Sequence, residues 1–130
     1  MNDEDCPFCQ LIQAGILYAD FGLVVAIADR FPVAPGHTLL VPRRHEPDFF
    51  ELTRDEHVAL IDAALAVRSS LASKVSFDGV NLGLNNGEAA GQTVMHCHLH
   101  FIPRQKGDVP DPRGGVRWVF PGSAPYWTEP

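Results

Sequence analysis

Between residues 95 and 104 polar and apolar side chains alternate: His96, His98 and His100 are separated by Cys97, Leu99 and Phe101. In an extended strand, successive side chains point to opposite faces. The three imidazoles would then share one face at steps of about 6.6 Å, with the other face packed into a core. A helix would scatter both sets. Residues 23–28 form an apolar, β-branched-rich run that predicts a buried strand, and residues 37–42 predict a second. The turn at residues 31–36 joins them as an antiparallel hairpin, and Pro42 marks the end of the second strand. Thr53-Arg54-Asp55-Glu56 has the form of a capping box. After it, Val58, Ile61, Leu65, Val67 and Leu71 predict one long helix to about Lys74, with that stripe as its core face. Residues 80–84 alternate as another strand, antiparallel to the histidine strand across the small-residue loop 85–93. Residues 10–14, closed by Gly15, predict a short helix. Four or five strands with one long and one short helix make an α+β architecture.

Bulk properties narrow the function. The net charge of −6 argues against general nucleic-acid binding. No apolar run approaches the roughly 20 residues that span a bilayer, and the acidic start Met1-Asn2-Asp3-Glu4-Asp5 lacks the apolar segment of a signal peptide. Three cysteines, an odd count, suit a reducing compartment better than a disulfide framework. The expectation is a cytoplasmic chain of one domain over residues 1–130, with a core over about 6–104, a tail over 105–130, and no membrane or nucleic-acid partner.

Two groups of residues carry candidate chemistry. Cys6-Pro7-Phe8-Cys9 reads as a redox pair, as half a zinc site, or as a coincidence of spacing. A redox pair of the thioredoxin kind follows a strand, and only five residues precede Cys6, so half a zinc site is the better reading, with His45 a candidate further ligand. The histidine face admits three readings: an ordinary polar strand face, a metal centre, or nucleophilic work on a phosphate. The glycine-containing loop ahead of it lets backbone N–H groups approach an anion. A P-loop is excluded, because no Gly-x-x-x-x-Gly-Lys-Ser/Thr run is present.

His96-Cys97-His98-Leu99-His100-Phe101-Ile102 resembles the histidine triad motif of alternating histidines followed by apolar residues. Gly91-Gln92-Thr93-Val94, Asp29, the Ala34-Pro35-Gly36-His37 turn, Val41-Pro42-Arg43-Arg44-His45 and Asn85 also resemble family positions, so the likeness covers roughly residues 6–104. It implies a five-stranded antiparallel sheet with the two helices, assembled as a homodimer. It implies a purine nucleotide substrate and cleavage of a dinucleoside polyphosphate or nucleoside phosphoramidate. By resemblance His98 is the nucleophile, and His100 hydrogen-bonds the phosphate or leaving group. Gln92 and Thr93, in the loop with Gly91, contact phosphate oxygens, and Thr93 helps protonate the departing atom. Asp29 and Asn85 lie near ribose and phosphate, residues 23–27 including Ile27 form the base pocket, and His37 orients the triad. The family also implies a structural zinc held by Cys6, Cys9, His45 and His96. A related nucleotidyltransferase branch has glutamine where this chain has His100, which favours hydrolysis. Two other classes remain: a nucleotide-binding signalling or scaffold protein, and a metalloenzyme that uses the histidine face as ligands. In the tail, Trp118, Phe120, Tyr126 and Trp127 are costly to expose; they either complete a partner's active site, with Arg113 and Arg117 reaching phosphate, or cover their own domain.

Overall fold

A computed structural model describes residues 3–129. Helix α1 spans Pro7–Ala14, three residues earlier than the apolar pattern predicts. Its N-cap is Cys6, whose sulfur accepts from the Cys9 amide; Pro7 takes the first turn, where no amide donor is needed. Gly15, at φ 70°, ends it in a left-handed conformation.

Five strands follow: β1 (Ala19–Asp20), β2 (Val24–Ala28), β3 (Thr38–Pro42), β4 (Gly79–Gly83) and β5 (Leu99–Arg104), with α2 (Arg54–Ala72) between β3 and β4. They form one antiparallel sheet in the order β1-β2-β3-β5-β4. The hairpin of β2 and β3 and the pairing of β4 with β5 agree with the sequence pattern. Strand β1 has no sequence signal, because two residues are too few to show a period. Strand β5 begins only at Leu99, so of the three motif histidines His100 alone sits in the ladder, opposite Leu39 and Gly83. The segregation of side chains nonetheless extends back to His96. Cys97, Leu99 and Phe101 pack beneath α2, while His96 and His98 lie against Phe8 on the opposite side.

The capping box of α2 is complete: the Glu56 amide donates to Thr53 Oγ1 at 3.1 Å, and the Thr53 amide to Glu56 Oε1 at 2.9 Å. The core face of α2 differs from the predicted stripe. Leu60, Ala63, Ala64, Val67 and Leu71 face the sheet, whereas Val58, Ile61 and Leu65 are 48%, 55% and 63% exposed. Alanines meet the sheet because the helix lies close against it, and the larger apolar residues are turned outward. Glu56 is buried at the helix start beside Arg44, which donates to it from Nε and Nη2 at 3.2 and 2.8 Å. The Arg44 bonds hold the Glu56 carboxyl below its usual range, against the opposing effect of burial. His57, in the first turn of α2, is half-buried, with Nε2 2.8 Å from the Phe49 carbonyl. On the other face of the sheet, Cys6, Phe8 and Cys9 pack on Val25, Ile27, Leu39 and Val41. No helix among the described residues is long and apolar enough to cross a membrane.

Urea denaturation should rank two substitutions. Thr53→Ala removes one cap bond and should cost about 1 kcal/mol. Leu60→Ala empties a fully enclosed site between α2 and the sheet and should cost about 2–5 kcal/mol.

Candidate functional site

Packing α1 onto the sheet brings Cys6 and Cys9 to two histidines from distant parts of the chain. Cys6 Sγ is 3.4 Å from His96 Nδ1, and Cys9 Sγ is 3.3 Å from His45 Nδ1 and 3.5 Å from His96 Nδ1. The four candidate ligand atoms all lie within 4.8 Å of one another. Zinc bonds of about 2.3 Å to sulfur and 2.0–2.1 Å to nitrogen give tetrahedral edges of about 3.5 Å, so these separations fit the ion. His96 Nε2 donates to the Pro42 carbonyl at 2.7 Å, which leaves Nδ1 bare and aimed at the thiols. Burial keeps that imidazole neutral by lowering its pKa. Burial, followed by the neighbouring Cys6, pushes the Cys9 thiol up to about 12, a cost that a bound divalent cation removes. The donor set, two thiols and two imidazoles, is that of a closed structural zinc site.

The second half of the histidine row is organised by hydrogen bonds that fix tautomers. His98 Nδ1 donates to the His96 carbonyl at 2.8 Å, so its Nε2 carries a free lone pair. The His98 ring meets Phe8 edge-on at 4.9 Å and His100 at 5.2 Å between centroids. The Val33 amide donates to His37 Nδ1 at 3.1 Å, which puts the His37 proton on Nε2. That nitrogen lies 3.0 Å from His100 Nδ1 and 3.3 Å from Asp29 Oδ2. With Nδ1 accepting, His100 carries its proton on Nε2 and is a donor. Burial is the largest cause that lowers the pKa values of His37, His98 and His100; the nearby Asp29 carboxylate opposes it in each case. The neutral, tautomer-locked pair therefore offers one bare nitrogen next to one N–H. Asp29, His37 and His100 also converge closely enough to suggest a metal site. The proton on His37 Nε2, held there by the Val33 amide, removes the lone pair that a metal would need. With His96 turned to the thiols, the three triad imidazoles do not converge on one ion.

The loop ahead of His96 is braced by Gln92. Its Oε1 accepts from the Gly87 amide at 2.7 Å, and its Nε2 donates to the carbonyls of Pro47 and Val94 at 3.0 and 3.2 Å. Its side chain thus joins three backbone groups of the protein. Gly87 and Gly91 adopt φ of 91° and 94°, which turn the loop tightly before the exposed Thr93. Asn85 lines the cavity described below, while its neighbour Asn86 bonds Asp48 and the Phe49 amide. Ile27 is enclosed between α1 and the sheet. Phe8, which the sequence shows only as the filler of a Cys-x-x-Cys motif, touches both His96 and His98. That role has no local signal.

The tail folds back over its own sheet. Gly114 and Gly115, at φ 94° and 48°, reverse the chain into a 3-10 turn at Gly115–Val119 that lies against β4. A cavity of about 930 Å³ opens between this turn and the sheet, reaching His37 and His100 at one end. The arginines are spent inside the tail. Arg113 pairs with Asp111 and covers Trp127, while Arg117 donates to the carbonyls of Ser123 and Ala124 and covers Tyr126. Within one chain neither is free to take a phosphate.

Comparison with known proteins agrees with this geometry. The family model described as HIT domain matches residues 12–107. An uncharacterised HIT-like protein of Methanocaldococcus jannaschii is 41% identical over 107 residues, 79% of this chain and 81% of that one. The bis(5'-adenosyl)-triphosphatase of Dictyostelium discoideum is 36% identical over 98 residues, 75% of this chain and 66% of that one. Among solved structures, a Zn-bound histidine triad family protein from Mycobacterium smegmatis superposes with a TM-score of 0.75 at 28% identity, covering 85% of this chain and 86% of that one.

Elemental analysis of protein purified without chelator should find about one zinc per chain. Cys9→Ala should reduce it several-fold, because Cys9 touches both imidazoles. Unchanged metal content in that variant would discard this ligand set.

Proposed function

The chain belongs to the HIT family, and from that premise we propose that it is a hydrolase of nucleoside phosphate linkages, working through a covalent nucleotidyl-histidine intermediate. The supporting observation is the tautomer pair: His98 presents a bare Nε2 because Nδ1 is tied to the His96 carbonyl, and His100 beside it presents Nε2–H. His98 Nε2 attacks the nucleotide phosphorus, and the bond from phosphorus to the second group breaks. That group leaves with a proton supplied by His100 or through the Thr93 hydroxyl. Water then attacks phosphorus and breaks the N–P bond. Its oxygen remains on the released nucleoside monophosphate, one of its protons restores the donor, the other leaves with the phosphate or to solvent, and the electron pair of the N–P bond returns to His98 Nε2. Two easier displacements replace one hard one. Gln92 holds the loop around Gly91 in shape. Asp29 and Asn85 approach the ribose and phosphate of a purine nucleotide, with Ile27 behind the base. His37 positions His100.

Zinc at Cys6, Cys9, His45 and His96 supplies structure when bound: it fixes α1, the end of β3 and the carbonyl that orients His98. A reducing, cytoplasmic compartment is part of this reading, since it keeps both thiols available. So is a homodimer. The outward stripe of Val58, Ile61 and Leu65 and the edge strand β4 are two surfaces that a second copy would cover.

His98→Ala should lower kcat by several orders of magnitude and leave nucleotide binding largely intact; quenched wild-type protein should carry a nucleotidyl adduct on His98 by mass spectrometry. An adduct on His100 would reverse the two roles, and normal turnover in the variant would sink the mechanism. The pH profile gives a second check. Attack needs neutral His98, and burial lowers its pKa, so the acid limb of kcat/KM should lie below 6.5. A limb above 6.5 would mean a charged nucleophile environment. Sedimentation should report a dimer that Ile61→Asp with Leu65→Asp converts to monomer.

A further inference from the structure

We propose that His45 is a detachable arm of the zinc site and that the Asp3 carboxylate takes its place, so that metal enters and leaves on that side while Cys6, Cys9 and His96 stay bound. This rests on reading the Cys6, Cys9, His45 and His96 cluster as a zinc site, and it goes further because the two imidazoles are not held alike.

The difference lies in the ring nitrogen that faces away from the thiols. His96 is fully enclosed, and its Nε2 donates to the Pro42 carbonyl at 2.7 Å. Binding metal through Nδ1 leaves that arrangement as it is. His45 also turns Nδ1 to the cluster, 3.3 Å from Cys9 Sγ. Coordination there puts the His45 proton on Nε2. That nitrogen is buried and has no hydrogen-bond partner among the described residues. A metal-binding histidine ordinarily donates this second N–H to a neighbour, and a buried donor left unpaired works against the bond to the metal. The His45 side chain is already 12% exposed and follows the end of β3 at Pro42. Release of the ring lets its N–H turn to water.

A replacement ligand lies beside it. Asp3 Oδ1 is 3.8 Å from the same His45 Nδ1, and the carboxylate is 68% exposed. The Asp3 carbonyl accepts from the Cys6 amide at 3.3 Å, which pins residue 3 next to the thiols. A carboxylate oxygen binds zinc at about 2.0–2.2 Å, close to the imidazole length. In the exchange the bond from metal to His45 Nδ1 breaks, the nitrogen regains its lone pair, and an Asp3 oxygen donates the pair of the new bond. No proton or electron is transferred. The added negative charge sits at the surface, where water solvates it. His96 stays in place throughout, so its carbonyl keeps the 2.8 Å bond to His98 Nδ1 while the metal is delivered or withdrawn.

Chelator competition for zinc and the visible spectrum of the cobalt(II)-substituted full chain test this. His45→Ala should still bind about one metal per chain with an intense, tetrahedral cobalt spectrum, at an affinity lowered less than about tenfold. Adding Asp3→Asn to His45→Ala should lower affinity at least about tenfold more. Asp3→Asn alone, at an exposed position, should slow zinc transfer to the chelator at least about threefold, with affinity changed less than about threefold. Metal lost as fully from His45→Ala as from Cys6→Ala, a double variant that binds as tightly as His45→Ala, or a release rate unchanged in Asp3→Asn overturns the detachable arm. The last readout keeps His45 intact and so holds even if His45→Ala folds poorly. A wild-type chain that takes up neither zinc nor cobalt overturns the zinc reading itself, whereas metal uptake with no role for Asp3 overturns the exchange alone.

Discussion

The hydrogen bond from His98 Nδ1 to the carbonyl of His96 is the constraint on which the arrangement of His98 and His100 depends. It is available only because the strand begins late. Had the ladder run through His96, that carbonyl would be a candidate for a cross-strand amide. Instead β5 starts at Leu99, and the Cys97 amide is satisfied from outside the sheet, by the Glu46 carbonyl at 2.7 Å. Residue 96 thereby serves two neighbours at once. Its ring faces the thiols of α1, and its backbone oxygen sets the tautomer of the next histidine. Whatever anchors the ring also anchors the oxygen.

The other tautomer is set from a turn. The Val33 amide, in the connection between β2 and β3, determines which nitrogen of His37 is protonated, and His37 passes that choice to His100. Asp29, at the far end of the same connection, stabilises the His37 N–H. Residues 29–37 thus act as a rigid frame for a proton position on β5, and the hairpin that forms the sheet also prepares the donor.

The sequence made much of this legible, for identifiable reasons. The period-two alternation around His98 survives even where the ladder does not, because the core beneath α2 accepts Cys97, Leu99 and Phe101 regardless of hydrogen bonding. The Thr53 and Glu56 box is local and reads directly. The predicted stripe on α2 holds at Val67 and Leu71, whereas Leu60, Ala63 and Ala64 pack inward in place of Val58, Ile61 and Leu65. The bonds of Gln92 to Gly87, Pro47 and Val94 depend on a fold that no local pattern encodes. Arg113 and Arg117 read as free cations in the sequence, and their partners sit within the same tail. Strand β1 was too short to signal at all.

The consecutive left-handed glycines at the start of the tail's turn have an evolutionary consequence. A Cβ on Gly114 would sit 3.3 Å from both Trp118 and Trp127, so the reversal tolerates little at that point. Beyond it, the side chains that face the cavity belong to a segment joined to the histidine strand through this pivot and not through the ladder. Substitutions there can accumulate without disturbing the bonds that set either tautomer. The fold separates a part that must stay fixed, the proton positions, from a part whose side chains can change behind one tight turn at Gly114.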